Sequence, residues 1–244
     1  MERSSDELRE KLRNVEENYK IIEENISKAC EKSGRERKDV IFLAATKTVE
    51  PEIINHAILQ GLRFIGENRV QELLSKYDRY DLENCELQFI GHLQSNKVRQ
   101  IIDKVSLIQS VDSVKLANEV ARQAKLHNKT MDILVEVNIG REENKSGVMP
   151  EQLDELLGKI SEIDGIFVKG LMAIPPICEK KSEICKYFED MHKIFIDISG
   201  KKSDNVSMDI LSMGMSDDYE EAILCGANMV RVGSSLFGKR NYAK

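Results

Sequence analysis

"IFLAATKTVE", residues 41–50, is the stretch from which the fold can be read. Ile41 to Thr46 is an uncharged run whose Phe42-Leu43-Ala44-Ala45 core reads as a strand buried on both faces. Strands of that kind belong to parallel sheets covered by helices. The run ends at Lys47, followed by Thr48-Val49 and then Glu50-Pro51. A lysine at a strand end is ordinarily a solvated cap, because lysine is rarely buried unless paired. The other reading places it at the mouth of a core, where desolvation makes its amine a nucleophile for carbonyls.

Outward from this strand the chain alternates. Short apolar runs recur at Val40–Thr46, Arg63–Gly66, Leu87–Gly91, Ser106–Gln109, Asp132–Asn138, Ile166–Met172, Val206–Ser212 and Met229–Val232. Between them lie helical patterns at Pro51–Gln60, Asn68–Tyr77, Gln94–Asp103, Ser113–Leu126, Pro150–Ile163, Lys180–Ile198 and Asp217–Cys225, with a last turn at Ser234–Gly238. Pro51 and Pro150 suit the first turn of a helix, and Gly61 and Gly226 suit C-termini. Ahead of all this, Leu8, Leu12, Val15, Tyr19, Ile22 and Ile26 recur at helical spacing over residues 5–33.

Strand–helix alternation through the 244 residues predicts an α/β fold, a single (β/α)8 TIM-type barrel with an extra N-terminal helix. The expected organisation is one domain, residues 1–244, with residues 1–36 as a helix packed on the barrel. An open doubly wound sheet is the alternative, but it would carry a glycine-rich phosphate fingerprint after its first strand, and no GxGxxG occurs.

Composition narrows the function. A net charge of −6, with basic and acidic residues mixed along the helical patterns, gives no general attraction to nucleic acid or anionic membranes. The five cysteines form no CxxC pair and the four histidines no cluster, so neither a metal site nor a disulfide framework is expected. The charged N-terminus has no apolar signal region, and no apolar stretch reaches about 18 residues. A cytoplasmic protein is the expectation.

In a barrel, reactive groups sit at the C-terminal ends of strands, and a phosphate often lies between the loops after strands seven and eight. "VRVGSSLFG", residues 230–238, has the chemistry for that: Gly233 for close backbone approach, hydroxyls on Ser234 and Ser235, and a following turn whose free N–H groups face an anion. Ser212 can add a hydroxyl from the neighbouring strand. The plainer reading is a Gly-Ser turn and helix cap. Arg231, inside an apolar strand, is costly unless paired. It either meets a barrel carboxylate such as Glu136 or points at an acceptor on a bound ring. Lysine, anion cradle and buried arginine together suit a phosphorylated aldehyde held as a Schiff base, of which pyridoxal 5′-phosphate is one. A Schiff-base aldolase acting on sugar phosphates is the competing reading, though it also needs an acid/base partner.

The blocks "LAATKTV", "FIGENRVQEL", "FIGHLQSNKV", "QSVDS", "VNIGREENKSGV", "GLMAIPP", "LSMGMSDDYEEAI" and "VRVGSSLFGKR", in this order, resemble the pyridoxal phosphate homeostasis proteins. The resemblance spans essentially the whole chain. It implies a barrel similar to the N-terminal domain of alanine racemase, with pyridoxal 5′-phosphate bound covalently to Lys47. It further implies Asn68 near the cofactor ring, Arg231 facing the pyridine nitrogen, and Ser212, Gly233 and Ser234, with Ser235, around the phosphate. Met213 and Met215 either pack near the ring or fill core. Leu87-Gln88 replaces an aromatic-His pair frequent in the family, and Ser234 stands where threonine is frequent. The charged loop 138–147 reads as a solvated rim, with Lys145 as a candidate for receiving or passing on cofactor at the mouth.

An amino-acid racemase is the alternative function. Racemisation needs two bases on opposite faces of the substrate. In racemases resembling this barrel the second is a tyrosine from another domain, and the chain ends in KRNYAK after the barrel pattern. Tyr242 lies in that tail, and the other five tyrosines fall in helical or charged segments. The expectation is therefore a non-catalytic, monomeric carrier that holds pyridoxal 5′-phosphate and passes it to apo-enzymes, with no catalytic residue and no metal.

Overall fold

Side-chain alternation along the strands separates two apolar populations, and that separation closes the sheet. Leu43, Ile90, Leu107, Leu134, Met172 and Met229 form one buried cluster. Their strand neighbours, such as Phe42, Ala44, Ile65, Phe89, Val230 and Val232, belong to a second, larger cluster that includes the helices. Successive residues of a strand point to opposite faces, so the first cluster fills the inside of the sheet and the second covers its outside.

The computed structural model describes residues 2–201 and 203–238, and Tyr242 lies outside the described residues. The strands are β1 (Ile41–Ala45), β2 (Phe64–Glu67), β3 (Glu86–Phe89), β4 (Leu107–Val111), β5 (Met131–Val137), β6 (Ile166–Ala173), β7 (Val206–Ser212) and β8 (Met229–Val232). They pair in parallel in sequence order, and β8 returns to β1, closing the (β/α)8 barrel. The α-helices are α1 (Glu2–Lys32), α2 (Pro51–Leu59), α3 (Val70–Lys76), α4 (Val114–Leu126), α5 (Leu153–Ile160), α6 (Lys181–Ser199), α7 (Tyr219–Leu224) and α8 (Ser234–Phe237).

The N-terminal helix α1 buries Val15, Ile22, Ile26, Ala29 and Cys30 and packs on α2, α7 and α8. It ends at Gly34, whose φ of +70° suits glycine. Asn18 Nδ2 donates to the Leu236 carbonyl (3.0 Å) and Asn25 Nδ2 to the Tyr219 hydroxyl (3.0 Å), fastening α1 to α8 and α7. No described helix is long and apolar enough to cross a membrane.

Three elements differ from the sequence expectation. The pattern over 94–103 forms a 3₁₀ helix at Ser95–Gln100 and then turns: Ser95 and Asn96 are weak helix formers, and i→i+3 bonds from Lys97 N to Gln94 O (2.9 Å) and Ile101 N to Val98 O (3.1 Å) bracket the segment. Pro150 opens a short 3₁₀ turn ahead of α5 rather than a continuous helix. Helix α3 starts at Val70, not Asn68, which leaves Asn68 on the rim between β2 and α3.

Candidate active site at the barrel mouth

Lys47 lies two residues past β1 and is half-buried. Thr46 N donates to Gly66 O (3.0 Å), so the ladder with β2 continues past Ala45 and strand alternation continues with it. Thr46 points outward, since its Oγ1 donates to Glu67 Oε1 at 2.8 Å on the outer side. Lys47 follows in a turn closed by Val49 N, which donates to Thr46 O (3.1 Å), at the C-terminal end of β1 and so at the mouth of the barrel. On the neighbouring β2, Gly66 lets Leu43 and Ile90 pack against the backbone: a Cβ there would come within 2.7 Å of Leu43 and 3.0 Å of Ile90.

The segment carrying Lys47 is held from outside. Lys76 Nζ donates to Thr46 O (3.1 Å), Glu67 Oε1 (3.1 Å) and Glu72 Oε1 (2.6 Å). Tyr80 OH donates to Glu67 Oε1 at 2.6 Å, and Glu72 Oε1 accepts the Thr48 N–H. Burial, then the Glu67 charge, pushes the Tyr80 phenol far up, so it stays a donor. Thr48 has φ +64°, a left-handed conformation that costs a β-branched residue about 1–3 kcal/mol and persists only where its surroundings impose it.

On the other side of β1 lies β8, with Leu43 opposite Arg231 and Ala44 opposite Val232. Arg231 shares the inward face of Met229. It is buried, level with Leu43 in the middle of β1 and therefore deeper than the turn that carries Lys47. Its Nη1 donates to Ser212 Oγ (2.6 Å) and its Nη2 to Ala173 O (2.9 Å). Ser212 Oγ donates to Gln109 Oε1 (2.7 Å), and Gln109 Nε2 donates to Gln88 Oε1 (2.6 Å). A polar chain thus crosses the interior from β8 through β7 and β4 to β3. Burial pulls the Arg231 guanidinium down to about 10, against the opposing pull of Glu136 and Asp218. Glu136 bears on Arg231 through its field rather than as an ion-pair contact; burial and then Asp112 push its carboxyl up to about 7.

Past β8, Gly233 packs on β1, where a Cβ would stand 3.1 Å from Ala45 O. Its φ is −122°, so close packing explains the glycine and backbone strain does not. Ser216 Oγ accepts from Gly233 N (3.0 Å) and Ser235 N (3.2 Å), and Ser235 Oγ donates to Ser216 O (3.2 Å). Ser234 is exposed on the rim. On other strands two buried polar atoms have no protein partner: Asn68 Oδ1 after β2 and Ser110 Oγ in β4. Met213 belongs to the outer, helix-facing core, whereas Met215 is exposed. In the 138–147 loop the Asn138 side chain accepts from Glu142 N and donates to Glu142 O, and Lys145 pairs with Glu142 at 2.7 Å.

The sequence-predicted residues thus fall on four consecutive strands or the turns just beyond them, in barrel order β7, β8, β1, β2. Lys47, Asn68, Gly233, Ser234 and Ser235 ring the mouth, while Arg231 and Ser212 lie deeper. The arrangement offers a lysine at the mouth, a buried guanidinium bonded to neutral groups, a serine-lined turn whose Gly233 and Ser235 N–H groups are held by Ser216 rather than free as the sequence suggests, and a spare acceptor.

The family profile for the alanine racemase N-terminal domain matches residues 17–241. The pyridoxal phosphate homeostasis protein of Aquifex aeolicus is 43% identical over 229 residues, covering 94% of this chain and 100% of that one. This chain belongs to the pyridoxal phosphate homeostasis protein family. Among solved structures, PipY of Synechococcus elongatus PCC7942 with PLP bound is 30% identical, with a TM-score of 0.75, over 82% of this chain and 93% of that one. Alanine racemase from Corynebacterium glutamicum, 12% identical with a TM-score of 0.68, covers 95% of this chain and 62% of that one, and shares the fold.

Within this homeostasis-protein barrel, three site features escaped the sequence reading. Ser216 was hidden in "GMSDD", where nothing local marks it as the residue capping the turn after β8. Gln88 and Gln109 did carry a signal: each is a polar residue at an inward position of an apolar strand, and such residues in a barrel interior must hydrogen-bond to one another or to something bound.

Proposed function

We propose that this chain holds pyridoxal 5′-phosphate at the mouth of the barrel, with Lys47 as the covalent attachment point, and serves intracellular cofactor homeostasis without turnover. The observation that supports the reading is the β1–β8 pairing: the Gly233 turn packs on Ala45, two residues before Lys47, and the buried Arg231 pairs opposite Leu43. The residues suit the cofactor: Gly233, Ser234 and Ser235, with Ser216, are the groups to hold its phosphate, Arg231 faces its ring nitrogen, and Asn68, whose Oδ1 is buried without a protein partner, is the spare acceptor for the ring. Ser212, whose hydroxyl is engaged by Arg231 and Gln109, acts from beneath. Bound through its aldehyde, the cofactor supplies an electron-withdrawing ring. A charged Arg231 at the ring nitrogen would disfavour protonation there and so weaken that withdrawal.

Carriage rather than racemisation is supported by where the described tyrosines sit. Tyr80 donates to Glu67 and Tyr219 accepts from Asn25, both outside the barrel interior. Tyr19 stacks on Phe42, and Tyr77 and Tyr187 pack against the outer core. Hand-over to apo-enzymes, a monomeric state and one cofactor-binding domain over residues 1–244 belong to the same reading. Borohydride reduction of the protein as purified, followed by peptide mapping, tests it. The label is expected on the peptide containing Lys47 and should vanish in Lys47→Ala; a label retained on another lysine overturns the assignment.

A further inference from the structure

The face of β1 away from the mouth carries a second buried cluster with no place in cofactor contact: Lys76, Glu67, Glu72, Tyr80 and Thr46. Its hydrogen bonds fall on the residues on either side of Lys47. Thr46 is gripped at its carbonyl by Lys76 (3.1 Å) and at its hydroxyl by Glu67 (2.8 Å). Thr48 is gripped at its N–H by Glu72. Lys76 joins the two carboxylates, at 3.1 Å from Glu67 and 2.6 Å from Glu72. Both grips come from the outer side, and both act on backbone or side chain that faces away from the cavity.

Packing alone does not require this arrangement. Glu67 is fully buried with three donors crowded on Oε1 while Oε2 has no protein partner. Thr48 is one of three non-glycine residues at positive φ among the described residues, and the others, Asn128 and Arg141, lie outside this segment. A left-handed residue immediately after Lys47 bends the chain away from the strand direction, which fixes where the Lys47 side chain leaves the wall. The Val49 N bond to Thr46 O (3.1 Å) closes the turn, and Glu72 and Lys76 clamp its two sides, at Thr48 N and Thr46 O; without them the turn loses its outer hold and the lysine its aim.

We propose that Glu72 and Lys76 are positioning residues for Lys47, holding its amine at the point where an aldehyde is captured, without touching the ligand. The proposal rests on the reading of Lys47 given above. It implies an effect confined to ligands that react with the amine. The arginine and phosphate-side groups come from β7, β8 and the turns after them, and none of the hydrogen bonds of Glu72 or Lys76 reaches those segments.

The test compares pyridoxal 5′-phosphate with pyridoxine 5′-phosphate, which keeps ring and phosphate but has an alcohol in place of the aldehyde. Titrations use full-length protein stripped of ligand, with circular dichroism and a thermal melt as folding controls. In Glu72→Ala, at a partly exposed position, the aldehyde ligand should bind at least about tenfold more weakly, while the alcohol ligand shifts by less than about twofold. Glu72→Gln retains an acceptor for the Thr48 N–H and should recover most of the loss. Lys76→Met should discriminate between the ligands in the same way. Equal weakening of both ligands, or no weakening of either, overturns the proposal. Lys47→Ala is the reference: it should lose preference for the aldehyde altogether. If it keeps that preference, the Lys47 reading itself fails, and the positioning role falls with it.

Discussion

Two buried cations stand on opposite faces of one barrel wall, and the fold treats them differently. Lys76, outside β1 and β2, is ringed by two carboxylates, and all three of its N–H donors are used within the protein. Arg231, inside β8, donates to a hydroxyl and a carbonyl, and Glu136 and Asp218 reach it only through their field. The Lys76 cluster is closed: its charge is answered at hydrogen-bond distance. The Arg231 guanidinium is oriented but incompletely answered, an expensive state for a buried charge unless something else completes it. The first cation serves the architecture; the second suits a ligand acceptor.

The largest expected effect tests the closed side. Lys76→Ala leaves the buried Glu67 with two hydroxyl donors but no cation, and should cost about 3–5 kcal/mol in urea unfolding at neutral pH. Adding Glu67→Gln should return part of the loss. A cost under about 1 kcal/mol would break the contrast.

The next concerns the field around Arg231. The Glu136 carboxyl has a folded pKa of about 7, above its ordinary 4.5, with burial as the first cause and Asp112 as the second. The native state then binds the extra proton between those values, so this group's contribution is complete below pH 4.5 and is lost as pH rises through 7. Glu136→Gln should flatten that decline, gaining up to about 3 kcal/mol relative to the parent by about pH 8. Unfolding free energies measured across the window check it, and parallel curves for the two proteins would refute it.

A smaller effect comes from the polar chain. Gln109→Leu leaves Gln88 and Ser212 without their shared partner and should cost about 1–3 kcal/mol. It should also loosen pyridoxal 5′-phosphate binding, since Ser212 helps orient Arg231. Smallest of all in stability is Arg231→Met. Replacing a buried charge whose contacts are neutral should move ligand-free stability by less than about 1 kcal/mol, while binding of pyridoxal 5′-phosphate falls sharply. A large loss of ligand-free stability would make Arg231 another Lys76.

How much of this was legible follows from the range of each interaction. The barrel could be read because each strand announces itself locally: β7 and β8 begin and end where the apolar runs do, and every other strand differs by a residue or two at an end. Lys47, Gly233 and Arg231 could be singled out as candidates because each breaks a local pattern, as a lysine ending a strand, a glycine in a turn and a charge in an apolar run. The Lys76 cluster was not. Lys76 sits on a helix in "ELLSKY", where a lysine reads as solvated, and its partners Thr46 and Glu67 lie 30 and 9 residues away. The segment at 94–103 misled because apolar spacing alone cannot separate an α-helix from a 3₁₀ turn with the same buried residues.

The joining of β1 to β8, together with the Asn18 bond across 218 residues to Leu236, has a consequence for biosynthesis. The lysine is synthesised early and the turn beside it last, and closing a loop of that length is among the slowest and entropically costliest contacts a chain makes. A growing chain therefore has no cradle to offer. Vitamin added during translation would find a docking place only after the final strand has emerged and zipped onto the first, so ligand can reward completed folding but cannot guide it.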